Sequence, residues 1–139
     1  MTAKILFIVP GTPVPKGRPR FTRQGRTYTP AKTKSYEEQI AILGKEAMDG
    51  LEPLKTPVAV CVTVFFAIPA SYSKNRREAC LSGLEKHTKR PDLDNIVKTI
   101  TDGMNGVVYE DDSQIVRIVA KKDYCHEAMV EVMVQEMLD

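Results

Sequence analysis

Val58-Ala-Val-Cys-Val-Thr-Val-Phe-Phe-Ala-Ile68 is the longest apolar stretch of the chain, bounded by Pro57 and Pro69. It is too short and too β-branched for a membrane span and reads as a strand. Apolar residues occupy both of its faces, so the expectation is a central strand covered on each side.

The remaining elements assemble around that strand. Upstream, residues 4–9 form a short apolar run ended by Pro10, which suits a buried or edge strand. Ser35 followed by Glu38 makes a capping box, and Tyr36, Ile40, Leu43 and Ala47 then recur at helical spacing until Gly50. Downstream, residues 73–84 suit a short basic helix. A third helix is expected over residues 93–104, with Ile96, Val97, Ile100 and Met104 as its core stripe and Asn105-Gly106 as its stop. Residues 114–122 and 128–137 look like an antiparallel strand pair joined around residues 123–127. The resulting order, β-α-β-α-α-β-β, is an α+β (mixed α/β) fold: one mixed sheet with helices packed against it.

At 139 residues and 42% hydrophobic, residues 1–139 fit one domain with a modest core. The apolar run after Met1 is shorter than a secretory h-region, which leads to the expectation of a soluble, cytoplasmic protein with no membrane contact. Cys61, Cys80 and Cys125 are scattered without metal-ligand spacing and are expected to be reduced thiols, while His87 and His126 read as surface or turn residues.

Charge is distributed unevenly along the chain. Net charge is +2, yet six acids and one Lys between Asp92 and Asp112 give that segment −5. Met1 to Lys34 holds eight basic residues and no acid, and residues 74–90 hold six against Glu78 and Glu85. Separate positive and negative regions of this kind can converge on one ligand, and a polyanion held through a metal fits them.

Asp92 and Asp94 stand two apart where the third helix begins, so both carboxylates can point into one pocket. Asp111 and Asp112 begin the strand beyond its far end. If that strand lies beside the start of the helix, three or four carboxylates meet, and Mg²⁺ needs only two or three of them plus a phosphate oxygen. Lys98, one turn beyond Asp94, is placed to donate to a phosphate or to position water. The bland alternative makes Asp92 a helix cap, Asp94–Lys98 an ordinary i,i+4 pair and residues 110–113 a polar turn. Residues 10–30 form a Pro- and Gly-rich loop in which Lys16, Arg18, Arg20, Arg23 and Arg26 are interleaved with Phe21 and Tyr28. Such a loop is either solvated or a contact surface for nucleic-acid backbone.

Pro13-x-Pro-Lys-x-Arg-Pro-Arg20, Tyr28-Thr-Pro30, Arg90-Pro-Asp-Leu-Asp-Asn-x-x-Lys98, Asp102 and Asn105-Gly-Val-Val-Tyr-Glu-Asp-Asp-Ser-Gln114 together resemble the RusA family of Holliday-junction resolvases. The resemblance spans nearly the whole chain. It implies a RusA-like fold and a homodimeric, Mg²⁺-dependent endodeoxyribonuclease, with Mn²⁺ as a possible substitute ion, that makes paired nicks in four-way junction DNA during recombination and repair. It also implies a bacterial or prophage setting. By motif position its catalytic residues fall on Asp92, Asp94, Asp112 and Lys98, with Asp92, Asp94 and Asp112 as metal ligands and Asp111 as an accessory one. Lys16, Arg18, Arg20, Arg23, Arg26 and Arg90 are then the expected DNA contacts. Two other readings stay open: a metal-dependent nuclease for other branched or duplex DNA, and a non-catalytic nucleic-acid-binding protein.

Overall fold

Every second residue of the Val58–Ala67 strand is sealed from water, because two helices lie across one face of the sheet it centres. The structure, a computed structural model, describes residues 2–17, 20–25, 27–28 and 30–138. Its elements are β1 (Lys4–Pro10), β2 (Arg20–Phe21), β3 (Thr27–Tyr28), α1 (Ala31–Met48), β4 (Val58–Ala67), α2 (Lys74–Ser82), α3 (Leu93–Met104), β5 (Ile115–Cys125) and β6 (Met129–Glu136). A single 3-10 turn, Asp112–Gln114, leads into β5. The main sheet has the order β1-β6-β4-β5, with β5 parallel to β4 and the other neighbours antiparallel. This is the mixed α/β arrangement expected from the element pattern.

The core lies between one face of that sheet and the helices. Val58, Val60, Val62 and Val64 of β4 are buried with Val130, Val132 and Val134 of β6, Ile40 and Met48 of α1, and Ile96, Ile100 and Met104 of α3. Each such side chain contributes about 1.5–3 kcal/mol relative to exposure. On the other face Cys61, Thr63 and Phe65 are only half-buried, and among the described residues no helix covers them. The expectation that β4 is covered on both sides is therefore corrected. Among the described residues α1, α2 and α3 all feed the core on one side of the sheet, and the apolar residues of the other face are left open.

The expected β5–β6 pair is corrected as well. The two strands are joined by a short connection, but β4 lies between them. Beyond the end of β4 the Ile68 N–H donates to the Cys125 carbonyl at 3.2 Å, and beyond β1 the Gly11 N–H donates to the Ala128 carbonyl at 3.0 Å, extending the β4–β5 and β1–β6 pairings. A strand as apolar as β4 buries more by taking a partner on each edge than by leaving one edge open. α1 starts at Ala31, one turn before the Ser35 capping box, with the Pro30 carbonyl accepting from the Lys34 N–H at 3.0 Å. α3 occupies the expected residues. Within the 10–30 loop, β2 and β3 add a small ribbon whose turn is closed by Gly25 N–H to Thr22 carbonyl at 3.0 Å. Cys61, Cys80 and Cys125 are free thiols. His87 is not a plain surface residue: its ring stacks on Phe66 with centroids 3.7 Å apart, and its Nδ1 is buried without a partner among the described residues.

α1 and α3 are in tight contact at Gly103. A Cβ there would sit 2.8 Å from Ile40 Cβ and 3.1 Å from the Glu37 carbonyl oxygen. Gly103→Ala should therefore push the helices apart and destabilise the fold by about 1–3 kcal/mol, the usual cost of overpacking. Chemical denaturation measures this, and a midpoint equal to that of the unmodified protein would mean that the helix pair has slack at this point.

Candidate active site

α3 presents two faces. Its apolar stripe enters the core, while Asp94, Lys98 and Asp102, spaced by four, run along another side. At its start Asp92 occupies the N-cap position with extended backbone (φ −71°, ψ 140°), yet its side chain makes no capping hydrogen bond. Asp94 lies in the first turn, where the positive end of the helix dipole favours a carboxylate. Both residues are exposed, and neither side chain makes a hydrogen bond or ion pair among the described residues. The bland role of cap and i,i+4 partner is thus not what these acids do. Lys98 pairs with Asp102 Oδ1 at 3.1 Å instead of with Asp94.

Asp102 is the hub of the charge network. Its Oδ2 accepts from Lys16 Nζ at 3.0 Å while Oδ1 takes Lys98, and Lys16 donates a second bond to Glu37 Oε1 at 2.7 Å. The close helix approach at Gly103 brings α1 and α3 together beside this pair of acids. Burial works against the Lys16 charge, but the hydrogen bonds and charges of Glu37 and Asp102 outweigh it, so its pKa lies above the ordinary value. Backbone bonds dock the same segment: Lys16 N–H donates to the Asn95 carbonyl at 2.9 Å, and Gly17 N–H donates to Thr33 Oγ1 at 3.1 Å. The root of the basic loop is thereby fixed against the first turn of α3. Pro13, Pro15, Lys16, Arg90, Pro91, Asp92 and Asn95 line a cleft of about 390 Å³ there. Basic and acidic segments far apart in sequence do converge at one place.

Asp111 and Asp112 belong to the 3-10 turn that leads into β5. Asp111 caps the 3-10 turn, its Oδ2 accepting from Ser113 N–H at 3.0 Å while Gln114 Oε1 accepts from Asp111 N–H at 2.8 Å. Hydrogen bonds from Ser113, side chain first and then backbone, hold its carboxyl below the ordinary value. Asp112 is half-buried. It acts on the buried Tyr109 hydroxyl, which donates to the Thr101 carbonyl at 2.6 Å near the far end of α3. Burial first, then the charges of Asp112, Asp102 and Asp111, push the Tyr109 phenol well above its usual range. β5 runs back along α3, so its beginning faces the later half of the helix and Lys122, near its end, faces Asp92. Burial lowers the Lys122 pKa against the opposing pull of the Asp92 charge.

Among the described residues no group of three or more His, Cys, Asp or Glu side chains stands ready to hold a metal. Asp92 and Asp94 nevertheless offer hard oxygen donors that nothing else occupies. That donor set fits Mg²⁺, which is commonly held by one or two carboxylates together with water and substrate phosphate, not by an all-protein cage. Arg90 is exposed in the cleft and Arg23 is exposed at the tip of the β2–β3 turn. Arg20 belongs to β2 by its backbone, and Arg18 and Arg26 lie outside the described residues. Sequence reasoning gave no functional part to Glu37 or Lys122 and placed Asp102 only among the residues that carry the family resemblance. The Lys98–Asp102 spacing was a visible signal for Asp102, whereas Glu37 and Lys122 reach the site only through tertiary packing.

An uncommitted acid pair on a helix start, bordered by a cleft that carries Lys16 and Arg90, is an arrangement suited to hydrolysing a phosphodiester. The comparisons agree with that class. Residues 10–135 match the family model of endodeoxyribonuclease RusA. The chain is 38% identical over 139 residues to the "Uncharacterized protein YqaN" of Bacillus subtilis (strain 168), covering 96% of each. It is 28% identical over 130 residues to the "Crossover junction endodeoxyribonuclease rusA" of Lactococcus phage r1t, covering 93% of this chain and 92% of that one. The chain belongs to the RusA endodeoxyribonuclease family.

The raised Lys16 pKa sets the sign of a pH effect. Its contribution to stability is complete below the ordinary lysine value of 10.5 and is lost as pH rises through the higher folded-state value. Lys16→Met should lower the melting temperature at pH 7, with a deficit that shrinks above pH 10.5. A deficit unchanged in strong alkali would assign the effect to packing of the lysine stem and not to its charge.

Proposed function

We propose that this protein is a Mg²⁺-dependent endodeoxyribonuclease that resolves four-way DNA junctions by paired nicks, acting in the cytoplasm in recombination and repair. The observation that carries the proposal is the pair Asp92 and Asp94, which sits at a helix start without a structural partner, with Asp92 lining a cleft shared by Lys16 and Arg90. The likeness to the phage junction endodeoxyribonuclease supports the choice of substrate. Asp92 and Asp94 would hold the ion, with Asp112 as the third carboxylate implied by the family motif and Asp111 in reserve. Mn²⁺ offers a similar oxygen preference. When bound, the ion supplies an activated water and offsets the charge that builds on the leaving oxygen. Lys98, held by Asp102 in the absence of substrate, donates to a phosphate oxygen. Arg90 and the arginines of the 10–30 loop hold the DNA backbone, with Lys16 fixing the root of that loop.

Paired nicks call for two active sites related by symmetry, and the uncovered face of the sheet supports a homodimer. Leu6, Met133, Cys61 and Val119 stand in register across all four strands. In the next row Glu131 and Lys121 flank Thr63. A groove of about 570 Å³ lies along Leu6, Ile8, Cys61, Thr63, Glu131 and Met133. A second copy turned about a two-fold axis can set Lys121 against Glu131 around the apolar row, as sheet-on-sheet packing allows.

Two measurements test these readings. Asp92→Asn should reduce nicking of a synthetic four-way junction at least about a hundredfold, consistent with the several kcal/mol that metal assistance supplies, while junction binding stays intact. Equal cleavage of linear duplex and forks by the unmodified protein would make it a general metal nuclease, and binding without cleavage in Mg²⁺ or Mn²⁺ would make it a non-catalytic binder. Leu6 is 62% exposed, so Leu6→Lys should leave the protomer folded yet convert a dimer to monomers by sedimentation velocity. A dimer that survives the change would move the interface elsewhere.

A further inference from the structure

Four cations near α2 and Asp92, Arg76, Arg77, Lys89 and Lys122, fall into two kinds. Arg76 is committed to Glu85, with its Nε 2.9 Å from Oε1 and its Nη2 3.1 Å from Oε2, and Arg77 Nη1 donates to the Pro69 carbonyl at 3.1 Å. Lys89 and Lys122 are different. Lys89 Nζ donates to the Tyr72 hydroxyl at 2.6 Å, and Lys122 Nζ donates to the Lys89 carbonyl at 2.8 Å. Among the described residues neither has a carboxylate within ion-pair distance.

Neutral partners hold these two ammonium groups in place, and the acids that act on them, Asp92 on Lys122 and Glu85 on Lys89, do so without a direct ion pair. The frame around them is aromatic. Phe66 stacks on His87, Tyr124 meets the His87 ring edge-on at 5.4 Å, and Lys122 Nζ lies 5.4 Å from the Phe66 centroid. The Arg76 guanidinium lies over the Tyr72 ring at 3.6 Å, and Lys89 Nζ is 5.2 Å from the same centroid. Two ammonium groups held on neighbouring segments, with no acid within ion-pair distance of either among the described residues, favour an anion in front of them. Their position sets which anion: Lys89 precedes Arg90 and Asp92 in the chain, and Lys122 faces Asp92 from β5.

We propose that Lys89 and Lys122, anchored by Tyr72 and the Lys89 carbonyl, form a second phosphate-binding shelf that holds the DNA backbone beside Asp92, separate from the 10–30 loop. This rests on the nuclease reading. The shelf positions a strand without reading its bases, as contacts to phosphate do. Two separated grips on either flank of the acid pair would fix the direction in which the strand crosses it.

The test is equilibrium binding to a synthetic four-way junction and to plain duplex across a salt series, without divalent ion. The unmodified protein and the Lys89→Ala/Lys122→Ala double variant are compared. Each lost phosphate contact removes about 0.9 from the slope of log K against log salt, so the double variant should lose roughly 1.8 and bind both DNAs more weakly. Because Lys122 also satisfies a carbonyl, Lys122→Gln keeps a donor while removing the charge, and it should lose about 0.9 with its melting temperature unchanged. A folded double variant that keeps the full slope overturns the shelf. If the unmodified protein binds neither DNA, the nuclease reading itself fails, which is a distinct outcome.

Discussion

The constraint on which the rest depends is the burial of one face of β4 under α1 and α3. Val58, Val60, Val62 and Val64 are at most 1% exposed, and Ile40, Ile96, Ile100 and Met104 above them are fully buried. Once α3 is laid on that surface its polar side is directed away from the core, and Asp94, Lys98 and Asp102 have no other place to go. The packing that stabilises the protein thus also aims the acids. It does so without using them as caps or as core polar groups, which leaves Asp92 and Asp94 free for a ligand.

Asp102 gives the site its internal order. One carboxylate divides its two oxygens between a lysine from the basic loop and a lysine from its own helix, while Glu37 closes the arrangement from α1. Surface ion pairs of this sort add little stability individually. Their effect here is geometric, because the loop root, two helices and Lys98 are referred to the same atom group. The absence of a side chain at Gly103 lets the two helices come near enough for that sharing.

How much of this was legible in the sequence follows from the range of each signal. α3 was readable from residues 93–104 because its apolar stripe, its helix stop and its acids all lie within three turns. The 10–30 loop was recognisable from its Pro and Gly density, though its small ribbon was not. The position of β6 was hidden, since nothing within residues 128–137 says that the strand pairs with β1 and β4 and not with β5. The open sheet face was hidden for a different reason. Cys61 and Phe65 look like core residues, and only the placement of every helix on one side reveals that they are not. Asp112 shows the same limit: its type and motif were visible, but its location near Tyr109 and the later half of α3 depends on the direction of β5.

The insertion of β6 between β1 and β4 has a consequence for how the protein comes into being. β6 is the last strand along the sequence, yet it occupies an interior position in the sheet. Until it has left the ribosome, β1 has no partner and one edge of β4 stays open. The helices can gather earlier, but the layer beneath them cannot close. Proteolysis or a frameshift that removes β6 would therefore split the sheet between β1 and β4 instead of trimming an edge.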